Sequence, residues 1–83
     1  MSNQILTGTP TFIVFDIFDI VEETTVTAKG ASETSSVSTR KSGQDWEPAF
    51  RPRKGEEMTL SVPAGGQCFV LNVWIKFETG QKK

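Results

Sequence analysis

The side chains of this chain that could do chemistry are few, and most are spaced against it. No histidine occurs among the 83 residues, which removes the commonest general base and metal ligand together with any Ser-His or Cys-His pair. Carboxylates remain, but Glu22 and Glu23, like Glu56 and Glu57, are sequence neighbours. On an extended chain such neighbours project to opposite sides, which separates the two acids that hydrolytic chemistry needs together. Asp16 and Asp19 interrupt the apolar run FIVFDIFDIV at residues 12–21. Three apart on a strand, they face opposite ways and cannot share a cation without a bulge. Cys68 opens an apolar run, where a thiol is ordinarily a small packed hydrophobe rather than a nucleophile. Gly65 and Gly66 fit no phosphate-loop spacing, and a turn explains them. These patterns predict no metal, no cofactor and no catalytic residue. A small enzyme that joins carboxylates from different strands at a subunit interface is the alternative.

One segment does concentrate unusual residues: DWEPAFRPRKG, residues 45–55, carries Trp46, Phe50, Arg51, Arg53 and Lys54, with Arg40 and Lys41 just upstream. Residues 40–54 hold five basic and two acidic side chains, a local +3. Residues 1–39 hold one basic and five acidic, a local −4, in a chain of net charge −1. Pro48 and Pro52 cannot donate to a ladder, so the segment is predicted to be an irregular loop or an edge. Aromatic and guanidinium groups on one loop can stack on and pair with a nucleic-acid strand, a glycan or an acidic protein surface. Trp46, Phe50, Arg51, Arg53 and Lys54 are therefore the candidate ligand-binding residues. The competing reading makes Trp46 and Phe50 the plug of a small barrel and leaves the cations solvated. In an oligomer, the +3 segment could instead meet the −4 half of a neighbour.

The framework that must carry this segment is β. Phe, Val and Ile outweigh Leu, Ser and Thr are abundant, and 83 residues allow one domain with a small core. Residues 12–21 read as a strand with both faces apolar and one aspartate on each. Residues 24–28 form a second strand ending at a turn at Lys29 and Gly30, and a short polar strand centres on Val37. Residues 57–62 alternate Met58, Leu60 and Val62 inward, and residues 63–66 turn into a last strand at 68–77. In that last strand, alternation assigns Phe69, Leu71, Val73, Ile75 and Phe77 to the core. Cys68, Val70, Asn72, Trp74 and Lys76 then form a covered, partly wet outer face. The expectation is one all-β domain over residues 1–83, a small antiparallel β-sandwich or barrel of about five strands.

Strands with two apolar faces need a second layer that a chain with 36% hydrophobic residues cannot supply. Another copy of the chain is the expected cover, so oligomerisation is predicted to complete the fold. Asp16 and Asp19 then act as charges that restrict strand pairing. A single cysteine, an N-terminus without a basic n-region or apolar h-region, and no run approaching the ~20 apolar residues of a membrane span predict a soluble, cytoplasmic protein away from membranes. The near-neutral total gives no global reason to expect nucleic acid. The functional expectation is a non-enzymatic, homo-oligomeric binding or assembly module, with the 46–54 loop contacting a polyanionic, glycan or protein partner.

Overall fold

Residues 8–79 are described by a computed structural model, and the segments 1–7 and 80–83 lie outside them. Five strands form in chain order: β1 (Thr11–Asp19), β2 (Thr24–Gly30), β3 (Ser36–Arg40), β4 (Glu57–Val62) and β5 (Gln67–Thr79). Every strand pairing is antiparallel, and the described residues contain no helix. None is therefore long and apolar enough to cross a membrane. The all-β expectation holds. β2 runs through Lys29 and Gly30, which were expected to form a turn. It continues because residues 52–54 pass over Gly30, where a Cβ would lie 2.2 Å from the Arg53 carbonyl oxygen and 2.5 Å from that of Pro52. Only glycine permits that approach.

β5 is the axis of the sheet. β1 lies along one of its edges, while β3 and β2 lie end to end along the other, β3 beside Gln67 to Leu71 and β2 beside Val73 to Thr79. β4 adds outside β2, giving the order β1-β5-β2-β4 with β3 off that path. β1 and β4 are thus the two ends of an open sheet. Two parts can be distinguished: a β3 half, containing β3, the start of β5 and the end of β1, and a β2 half, containing β2, β4 and the rest of β5.

The halves meet at Asn72, whose φ of +51° is left-handed, a conformation Asn tolerates better than most residues. Loop 31–35 holds it there. The Ser35 hydroxyl accepts the N–H groups of Ala31 and Ser32 and donates to the Asn72 carbonyl, while the Asn72 amide donates to the Thr34 hydroxyl. The β1–β5 ladder skips Asn72 and Val14 opposite it. Such an irregularity resets the alternation of the strand. Before Asn72, Cys68 and Val70 are buried; after it, Val73, Ile75 and Phe77 are. The sequence-based core face is therefore right for Val73, Ile75 and Phe77 and inverted for the start of β5. There Phe69 and Leu71 sit half-buried on the outer side, and Cys68 and Val70 are core.

The core lies on the concave side of the bent sheet. Phe18 from the β3 half meets Phe77 from the β2 half edge-on, ring centroids 4.9 Å apart, within a cluster that includes Ile20, Val26, Val37, Val62 and Ile75. Two crossings tie the halves at their far end: Ile20 exchanges backbone hydrogen bonds with the turn at Gly65 and Gly66.

Candidate functional site

The five predicted site residues do not converge on one point. Trp46 lies on the outer face of the β3 half, its ring 6.0 Å from Phe69 and edge-on to it, with the Arg40 guanidinium 4.9 Å from the Trp46 centroid. Phe50 exchanges both backbone hydrogen bonds with Val37, extending the sheet beyond β3, and its side chain is exposed at a cleft facing β4. Arg51 lies beside Leu71 and the 33–36 turn. Arg53 and Lys54 are exposed on the segment crossing Gly30, anchored by the buried Pro52 and by a bond from the Arg53 N–H to the Glu56 carboxylate.

A larger feature gathers around Trp46. Phe69 is in edge contact with Trp46 on one side and with Phe15 on the other, the latter at 5.2 Å, so the three rings form a row across the outer face. Phe15 and Ile17 of β1 continue it, and Phe12 packs on Trp74 further along. A polar chain borders the row: Arg40 Nε donates to Gln67 Oε1, and Gln67 Nε2 donates to Asp19 Oδ1. Sequence reasoning missed Phe69, Arg40 and Gln67, because alternation without a bulge placed Phe69 inside. The available signal was Asn72, an isolated Asn inside an apolar strand.

The cleft at Phe50 opens between Thr39, Arg40, Lys41 and residues 47–50 on one wall and residues 60–63 on the other, with a volume of about 450 Å³. Its size suits a ligand site, and its lining mixes Phe50, Leu60 and Val62 with the charged Arg40, Lys41 and Glu47. Asp16 accepts the Ile17 N–H at 2.8 Å, and no group of three His, Cys, Asp or Glu able to hold a metal occurs among the described residues. Burial pushes the Cys68 thiol up to about 12, which keeps it protonated and inert at neutral pH.

No family model, no curated protein and no solved structure matches this chain.

Proposed function

We infer that this chain is a non-catalytic assembly and binding module that acts as a homo-oligomer and makes its contacts through the aromatic side of the β3 half. One observation carries the reading. On the edge strand β1, Phe12, Val14, Phe15 and Ile17 keep 42%, 59%, 61% and 44% of their surface open, next to Trp46 and Phe69. A monomer gains nothing by leaving that much contiguous apolar surface in water, and an apolar edge strand is a template for pairing with another chain. A second copy is the occupant argued for here, since small domains most often complete such surfaces symmetrically with themselves. Trp46 keeps its part in the contact surface, while Arg51, Arg53 and Lys54 offer exposed charge to an anionic partner.

The test is the mass in solution. Light scattering at micromolar concentration is expected to give a multiple of the 9.2 kDa chain. Phe15→Asp is expected to return the chain to monomer with an unchanged circular dichroism spectrum. A wild-type chain that is monomeric overturns the reading.

A further inference from the structure

We propose that the outer face of the β2 half carries a separate site, a shallow pocket beside Trp74 that takes a neutral pyranoside, stacking the sugar on the indole and hydrogen-bonding its hydroxyls to Lys29 and Glu57. The inference does not rest on the assembly reading above.

Strand register builds the pocket. Past Asn72, β5 buries Val73, Ile75 and Phe77 and turns Trp74 and Lys76 to the outer face. In the pairing with β2, Trp74 lies opposite Lys29 and Lys76 opposite Thr27. In the next pairing, Lys29 lies opposite Glu57. Directly paired residues are nearest neighbours on their shared face. An indole, an ammonium and a carboxylate therefore stand in one row across three strands, with Lys76 and Thr27 in the row alongside. Thr9 and Pro10, just before β1, complete the lining of a pocket of about 370 Å³. That volume lies at the lower end of the range for small-molecule sites.

Trp74 is open in a way that Trp46 is not. The Arg40 guanidinium lies 4.9 Å from the Trp46 centroid, and Phe69 meets the same ring edge-on. Among the described residues, Trp74 has one ring contact, with Phe12 at 5.3 Å and tilted by 55°, and no cation lies over it. It keeps 44% of its surface exposed. The polar groups beside it are open as well. Lys29 and Glu57 are ladder partners, yet neither forms an ion pair with the other or with any other described residue. Lys76 is already matched, to Glu78 at 3.3 Å.

This balance selects the ligand. Lys29 and Lys76 are equalled in number by Glu57 and Glu78, so a polyanion finds no excess of positive charge here. A purely apolar molecule would use neither Lys29 nor Glu57. A pyranose with equatorial hydroxyls answers both conditions. Its axial C–H bonds form an apolar, slightly positive face that suits the negative face of an indole. Its rim of hydroxyls both donates and accepts, so neighbouring hydroxyls can donate to the Glu57 carboxylate and accept from the Lys29 ammonium.

The test titrates methyl β-D-glucopyranoside and cellobiose into the full-length protein and follows the two indole N–H signals by NMR, that of Trp74 being assigned by its loss in Trp74→Phe. The Trp74 signal is expected to shift saturably at millimolar sugar, with the Trp46 signal unmoved and the affinity indifferent to salt. Trp74→Ala, folded by circular dichroism, should weaken binding by about tenfold, read from the sugar's own saturation-transfer signal, and Trp74→Phe should retain part of it. No shift with either sugar overturns the site, as does a shift at Trp46 alone. Binding of oligothymidylate at Trp74 that fades with salt, in place of sugar binding, makes it a polyanion surface and overturns the assignment. A lower mass of Trp74→Ala in light scattering assigns Trp74 to the contact between copies and overturns it too. Should Trp74→Ala unfold, the exposed Lys29→Ala and Glu57→Ala decide: each is expected to weaken sugar binding severalfold, and unchanged affinity in both overturns the site.

Discussion

The two parts of β5 on either side of Asn72 have similar composition and opposite surroundings on their outer faces. In the β2 half, Trp74 and Lys76 look out among Thr27, Lys29 and Thr59, with the Thr27 and Thr59 hydroxyls 3.5 Å apart and Lys76 paired to Glu78 at 3.3 Å. Polar and charged side chains surround the one large exposed apolar group of that face, Trp74. In the β3 half, Phe69 and Leu71 look out beside Phe15, Ile17 and Trp46, a face whose side chains keep apolar area exposed. One left-handed residue therefore selects which side chains of an apolar strand become core and which stay on the outer face.

The sharpest way to break this comparison is to truncate one Phe from each part. Phe77→Ala, fully buried in the β2 half, is expected to cost about 3–5 kcal/mol by urea denaturation. Phe69→Ala, half-buried, should cost roughly 1 kcal/mol and act mainly on assembly. Equal losses at the two sites would dissolve the distinction between core and contact faces.

Asn72 itself is the next lever. Asn72→Val places a β-branched residue at a φ of +51° and should cost about 1–3 kcal/mol in thermal melts, whereas Asn72→Gly keeps the conformation and loses only the bond to Thr34. If valine is tolerated as well as glycine, the left-handed residue does not set the parity.

Cys68 gives a test of burial at the start of β5. The folded chain holds its thiol protonated to about pH 12, while the unfolded chain releases that proton near the ordinary thiol value. The unfolded state thus binds fewer protons as pH rises above that ordinary value, and stability should fall by about 1.4 kcal/mol per pH unit towards pH 12. Cys68→Ala should remove this component of the slope in alkaline urea titrations. A native thiol that reacts with Ellman's reagent as fast as a free one would place Cys68 on the outer face, as simple alternation has it.

The smallest stability effect is expected at the exposed cations. Replacing Arg51, Arg53 and Lys54 together by Ala should cost within about 0.5 kcal/mol at each site. It should abolish salt-sensitive binding of a sulfated glycan or single-stranded oligonucleotide probe. Unchanged binding would confine the contact surface to the aromatic row.

Strand content was legible because alternation and β-branched composition are local properties. Glu57–Val62 was read with its observed bounds and inward residues, and the turn at 63–66 followed from Pro63, Gly65 and Gly66. The candidate site was legible only in part. Trp46 could be singled out by type, but its companions Phe69, Phe15, Arg40 and Gln67 come from three different strands. Residues 46–54 looked like one loop, and the structure divides them among the aromatic face, the cleft and the Gly30 crossing because Phe50 bonds Val37 while Pro52 is buried.

By itself, the sequence determined that this chain makes antiparallel strands, where four of them lie to within two residues, and that β1 is apolar on both faces. The tertiary structure alone decided which face is core at the start of β5, where Cys68 and Val70 are buried. That choice hangs on a hydrogen bond from the Ser35 hydroxyl to the Asn72 carbonyl and one from the Asn72 amide to the Thr34 hydroxyl, 37 and 38 residues away in sequence, holding Asn72 left-handed. No local pattern encodes such a contact, and a single residue out of step exchanges the two faces of a strand.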